Sequence, residues 1–374
     1  MGYFFKAQQM SVGYNGEPLI RNIDIELNKG EILTLIGPNG AGKSTILKSI
    51  TGQLKLIGGA VYLDRKEITG MSGQELSRKM AVVFTEKMKT ELMTCEDVVA
   101  TGRYPYTGYF GILSKDDHAV ILEAMKLVHV TEIRHQDFRK ISDGQRQRVM
   151  LARAICQEPE IIILDEPTSY LDIKYKLEFL SVLQNLRSKK DLTVIMSLHE
   201  LELAQRVSDR ILCVNGEYVE KFGTPEEIFL PGYIKELFDI SLGSFEEENT
   251  SMELEAPKGT PEVFVIAGGG TGRNVYRRLQ RENRAFITGI LYENDLDYPT
   301  AQALAAEIIA SKAFEPISQG LLEEAKSRID VCSNIICCKE SFGSLEKENE
   351  ELLAYAKTKG KSIEILETFN KHEI

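Results

Sequence analysis

Gly37-Pro38-Asn39-Gly40-Ala41-Gly42-Lys43-Ser44-Thr45 carries the residue types that hold a polyphosphate. Its spacing fits G-x-x-x-x-G-K-[ST]. Glycines let backbone N–H groups turn inward without a Cβ clash, and a helix opening over Thr45-Ile46-Leu47-Lys48 would add its positive dipole end. Lys43 is expected to reach the outer phosphates, and the Ser44 hydroxyl to ligate Mg²⁺. Farther along, Ile161-Ile162-Ile163-Leu164-Asp165-Glu166 is an apolar run that ends in two carboxylates. One carboxylate there can hold Mg²⁺ through its water shell, and the next can polarise an attacking water. The set suits hydrolysis of a phosphate bond beside a metal ion. A third segment, Ile141-Ser142-Asp143-Gly144-Gln145-Arg146-Gln147-Arg148, begins a helical stretch that runs to about residue 157. A serine hydroxyl and free amides at such a start either bind an anion or form a simple N-cap.

These groups need rigid elements to aim them. Glu31-Ile32-Leu33-Thr34-Leu35-Ile36 precedes the glycine loop, and Thr193-Val194-Ile195-Met196 follows the carboxylate pair. These runs are apolar on both faces, as strands of a sheet covered on both sides are. Across the first ~240 residues, strand-like runs alternate with helical patterns, which predicts an α/β fold. The 374 residues are 43% hydrophobic and 27% charged, which supports a folded core and excludes bulk disorder. A length of 374 points to at least two domains. No run approaches the roughly 18 apolar residues of a membrane span. A net charge of −11 argues against nucleic acid as a partner. No secretory signal is read at the N-terminus, and six cysteines without a C-x-x-C pair suit reduced thiols of the cytosol.

The composition changes from Phe245. Residues 246–261 hold five glutamates and then Pro257-Lys258-Gly259-Thr260-Pro261, which reads as a linker. A second α/β pattern occupies 262–374, with strands expected at 263–267, 286–291, 330–338 and 362–366, and helices from 273, over 300–312 and around 321–328. Ala267-Gly268-Gly269-Gly270-Thr271-Gly272-Arg273 suggests a Rossmann-like turn, with Glu293 placed to meet a ribose. The candidate ligand loop is Gly268, Gly270, Gly272 and Arg273, although the third fingerprint glycine is replaced by Arg273. Arg273 either binds a phosphate or covers the surface. No lysine follows, so this is not a second phosphate-binding loop of the first kind.

The glycine loop, the Asp165-Glu166 pair and the Ser142-Asp143-Gly144-Gln145 segment, in their order, resemble the nucleotide-binding subunit of an ATP-binding-cassette transporter over about residues 3–240. The resemblance implies a P-loop NTPase cassette at 1–245 with a helical subdomain at about 88–160; the smaller Rossmann-like domain after it is read from its own residues. It implies ATP and Mg²⁺ as ligands, with Tyr14 stacking on adenine and residues 37–45 holding the phosphates. It assigns Ser44, Glu86 and Asp165 to the metal, Glu166 as general base and His199 to the γ-phosphate. Ser142, Gly144 and Gln145 become the signature that faces the nucleotide of a second copy, and Asp172 crosses the dimer interface. Thr101-Gly102-Arg103-Tyr104-Pro105-Tyr106 is similar to a Gly-Arg-x-Pro stretch of importers for iron chelates, haem and cobalamin. Such subunits act with polytopic permeases and an external binding protein, at the cytoplasmic face of the plasma membrane.

Two positions depart from the family pattern. Glu86 stands where Gln is usual, and Glu86→Gln is expected to keep ATPase activity. Asp143 stands where Gly is common, and its carboxylate is expected to turn outward toward a basic residue. The C-terminal domain is read as regulatory, so deleting 258–374 is expected to leave ATP binding and alter regulation or assembly. The alternatives are a soluble cassette ATPase not tied to transport, and a ligand-sensing protein built on the C-terminal loop.

Overall fold

The computed structural model describes residues 2–84, 92–108, 110–169 and 171–366. It forms two compact units, Met1–Phe238 and Asp239–Ile374.

The first unit is built on a six-stranded sheet in the order Val219–Gly223, Arg210–Val214, Ile32–Ile36, Thr193–Ser197, Ile161–Leu164, Met80–Val83. Its pairs are parallel except at the Val219–Gly223 edge. The three central strands are buried along their whole length, as their two-sided apolar runs require. An antiparallel sheet holds Phe5–Tyr14, Glu17–Leu27, Gly58–Leu63 and Lys66–Glu67. Phe5, Met10, Ile20 and Val61 from that sheet share one core with Leu33, Leu35, Ile161 and Ile195. Ile46, Leu47 and Ile50 of the helix Lys43–Ile50 complete it. Each such buried side chain contributes roughly 1.5–3 kcal/mol, and together they fix the strand ends that carry the site.

Helices Cys95–Ala100, Lys115–Leu127 and Asp143–Cys156 lie between the strands Met80–Val83 and Ile161–Leu164. Each starts with a capping box, from Thr94 and Asp97, Ser114 and Asp117, and Ser142 and Gln145. The Gly-Arg-x-Pro stretch locks this region. A Cβ on Gly102 would meet the Arg153 carbonyl oxygen at 2.3 Å. Buried Arg103 pairs with Asp117 and Glu158 at 2.8 Å each and donates to the Cys156 carbonyl at 2.9 Å. Bonds from Ser114 and the Arg103 charge hold the Asp117 carboxyl down at about 2.

The second unit is a parallel sheet in the order Glu307–Ser311, Phe286–Tyr292, Val263–Ile266, Asn334–Cys337, Ser362–Ile365. Helices Arg273–Arg281, Tyr298–Leu304, Gln319–Val331 and Lys347–Thr358 connect these strands. This is a doubly wound arrangement. Two expectations are corrected. The helix expected over 300–312 ends at Leu304, and Glu307–Ser311 is a strand instead. Ala305 turns to extended backbone, and the residues after it pair with Phe286–Tyr292, so the sheet edge overrides helical propensity. The acidic segment 246–261 is not a bare linker, because Ser244–Glu246 and Ser251–Glu253 form a hairpin. The Glu246 carboxylate accepts from the amides of Glu248 and Asn249 at 3.0 Å each, and Glu253 pairs with Arg277 at 2.5 Å.

Among the described residues, no helix is long and apolar enough to cross a membrane.

Candidate functional site

The loop after Ile32–Ile36 is shaped by glycine where glycine is needed. Gly37, Gly40 and Gly42 have φ of 146°, 79° and 94°. A Cβ on Gly37 would lie 1.9 Å from the Val214 carbonyl oxygen, so strand and loop can approach only without a side chain there. The Ala41 amide donates to the Pro38 carbonyl at 3.2 Å, which closes the turn around exposed Asn39. Gly42 caps the helix Lys43–Ile50 without a side-chain acceptor. The helix start is therefore open to an external anion.

Lys43 folds back on its own loop, donating to the carbonyls of Gly37 at 2.8 Å and Pro38 at 2.9 Å. Burial lowers its pKa below the usual lysine value, while Glu166 and Asp165 oppose that shift. Ser44 Oγ donates to Asp165 Oδ1 at 3.0 Å. The buried Ser197 hydroxyl donates to the same oxygen at 2.7 Å and accepts from the Glu166 amide at 2.9 Å. Glu166 has φ of 48°, in the left-handed region, and its carboxylate lies 2.5 Å from His199 Nε2. The loop, the end of Ile161–Leu164 and the end of Thr193–Ser197 thus bring Lys43, Ser44, Asp165, Glu166 and His199 together. Sequence reasoning missed Ser197. Its signal was a polar residue closing an otherwise apolar strand two positions before His199.

Tyr14 is 52% exposed, and its hydroxyl lies 3.0 Å from Thr45 Oγ1, beside the phosphate loop. Ser142 caps Asp143–Cys156, accepting from the Gln145 amide at 3.2 Å, while Gln145 Oε1 accepts from the Ser142 amide at 2.9 Å. Gly144 follows in the first turn of that helix. Asp143 pairs with Arg146 at 2.5 Å, the basic partner expected for it, and stays largely exposed in the single chain. Asp172 caps the helix Ile173–Lys190 by accepting from the Tyr175 amide at 3.0 Å. Among the described residues, no direct bond joins Ser142, Asp143, Gly144, Gln145 or Asp172 to Lys43, Ser44, Asp165, Glu166 or His199. Glu86 lies outside the described residues.

Ser44 and Asp165 form a hard-oxygen donor set of the kind Mg²⁺ takes. Among the described residues no group of three or more His, Cys, Asp and Glu side chains is placed to hold a metal ion, and all six cysteines are buried free thiols.

The C-terminal loop presents the opposite charge. Asp297, fully buried, accepts from the amides of Gly268 at 3.1 Å, Gly272 at 2.9 Å and Arg273 at 3.1 Å. Asp295 accepts from the Gly269 amide at 2.8 Å and from the Asp297 amide at 2.8 Å. Burial raises the Asp297 pKa, the loop amides opposing it. The Arg273 guanidinium donates to the Leu296 carbonyl. Exposed Glu293, placed by its spacing, is not among the carboxylates on the loop; Asp295 and Asp297 are. A phosphate at Gly268, Gly270 or Gly272 would meet those two acids.

Comparison with known proteins places the chain in a family. Residues 20–169 match the family model described as ABC transporter, and 286–374 match the MJ0874 family. The chain is 42% identical over 287 residues to an uncharacterized ABC transporter ATP-binding protein, MJ0873, of Methanocaldococcus jannaschii, spanning 76% of this chain and 99% of that one. It is 36% identical over 234 residues to the iron(3+)-hydroxamate import ATP-binding protein FhuC of Bacillus subtilis, spanning 63% and 87%. The ATP-binding cassette MJ0796, solved as a dimer in a post-hydrolysis state with ADP and Pi, superposes with a TM-score of 0.53 at 27% identity, over 59% of this chain and 98% of that chain. The chain belongs to the ABC transporter family, as one of its ATP-binding, ATP-hydrolysing members.

Proposed function

We propose that this chain is the ATP-hydrolysing subunit of an importer for an iron chelate, haem or a cobalamin-type compound. It works as a head-to-tail pair of copies bound to a separate polytopic permease at the cytoplasmic face of the plasma membrane, fed by an external binding protein. The observation that carries the reading is the convergence of Lys43, Asp165, Glu166 and His199 on one open glycine loop. The likeness to an iron(3+)-hydroxamate import protein supports the substrate class.

Lys43 exchanges its two loop carbonyls for the β- and γ-phosphates of ATP. Ser44, Asp165 and Glu86 would hold Mg²⁺, which would supply charge neutralisation at the phosphates. Glu166 orients and deprotonates the attacking water, and His199 leaves Glu166 to donate to the γ-phosphate. One copy supplies donors on one side of that phosphate only. Ser142, Gly144 and Gln145 of a second copy cover the other side, and Asp172 crosses between copies. Hydrolysis then weakens the pair and moves the permease.

The test is vesicle reconstitution of the full chain with its permease. Uptake of a ferric hydroxamate, haem and cobalamin is followed with and without ATP on the side that carries the chain. ATP-driven uptake of one of these, lost in Glu166→Gln, is the expected result. ATP turnover with no uptake of any would overturn the importer reading.

A further inference from the structure

Glu200, the neighbour of His199, belongs to no motif considered so far. Its two carboxylate oxygens face different elements. Oε2 accepts from the Thr168 hydroxyl at 2.8 Å, and Oε1 pairs with Lys176 Nζ at 2.6 Å. Thr168 is buried two residues after Glu166, and its carbonyl accepts from the Leu171 amide at 3.1 Å. Lys176 lies in the first turn of Ile173–Lys190, where its amide donates to the Asp172 carbonyl at 2.9 Å. The Ser169 hydroxyl closes the circuit on Glu166 at 3.3 Å. One side chain therefore grips both ends of the turn that carries Asp172, while the adjacent His199 grips Glu166.

We propose that Glu200 is a positioning residue that ties the Asp172 turn to the His199–Glu166 pair, so that the seating of Asp172 sets the aim of the hydrolytic groups. This deepens the ATPase reading and rests on it. Burial disfavours the charged form of Glu200, yet Lys176 and Thr168 hold its pKa below the usual glutamate value, so the tie to Lys176 is ionic at neutral pH. A half-buried charge pair resists stretching more than an exposed one, because less water stands by to replace the partner. Movement of Asp172 is thereby passed to His199 through two bonds rather than lost in solvent.

The experiment compares the full-length parent with Glu200→Gln, Lys176→Met and the double variant. Steady-state ATP turnover and hydrogen exchange of the 168–176 segment without nucleotide are the readouts. Each single change is expected to lower kcat about tenfold with KM for ATP within about twofold, and to speed exchange in that segment. The double variant should fall no further than either single one, as residues acting as one unit do. Unchanged kcat, a rise in KM that accounts for the whole loss, or additive losses would overturn the proposal. If the parent itself lacks turnover, the ATPase reading fails, and exchange decides the tie alone: unchanged exchange in both variants would refute it.

Discussion

The loops at 37–45 and 268–273 start from one design and end in opposite roles. Each follows a fully buried parallel strand, each uses positive-φ glycines, and each leads into a helix. In the first, the cation of Lys43 rests on loop carbonyls, and Asp165, at the end of another element, meets the Ser44 hydroxyl rather than the loop amides. In the second, Asp295 and Asp297 have taken the amides of Gly268, Gly269, Gly272 and Arg273. The difference teaches that a glycine loop makes an anion seat only while no carboxylate of its own protein occupies it. Amides that have a buried internal acceptor gain little from an external phosphate and must first lose that acceptor.

The comparison can be broken most directly by counting sites. Calorimetric titration is expected to find one ATP per chain in the parent and none in Lys43→Met, with turnover down by about a hundredfold or more, as when a principal charge-stabilising donor is lost. A nucleotide still bound to Lys43→Met would mean that the second loop is a site too.

A smaller effect sharpens the structural side. Gly37→Ala forces a Cβ into the Val214 carbonyl and is expected to cost about 2–4 kcal/mol in denaturant unfolding. Gly269→Ala meets nothing within 4 Å and suffers only from its φ of 67°, a cost of about 1 kcal/mol. Equal losses would show that the two loops are constrained alike.

The smallest effect is the pH dependence of the internal lock. Because the folded Asp297 pKa is raised above 3.8, its contribution is full below that value and is lost as pH rises through the raised one. Thermal unfolding of the parent should therefore decline relative to Asp297→Asn across that window. A constant gap between the two proteins would contradict the burial-driven shift.

Local spacing alone determined the phosphate loop, the carboxylate pair and the α/β class, because those signals are short-range. Glycines next to a lysine, acids closing an apolar run and alternating periodicities need no knowledge of distant partners. Only the tertiary structure decided which carboxylates meet which amides. Spacing points to Glu293 for the C-terminal loop, yet the turn after Phe286–Tyr292 delivers Asp295 and Asp297 instead. The partners of Ser197 and Glu200 are not legible locally for the same reason, since they lie 31 or 32 residues away for Ser197 and 24 or 32 for Glu200. The strand Glu307–Ser311 likewise took its form from a neighbour in the sheet and not from its own propensity. Sequence fixes what a residue can do within a turn or two; the packing of separate strands chooses the partner with which it does it.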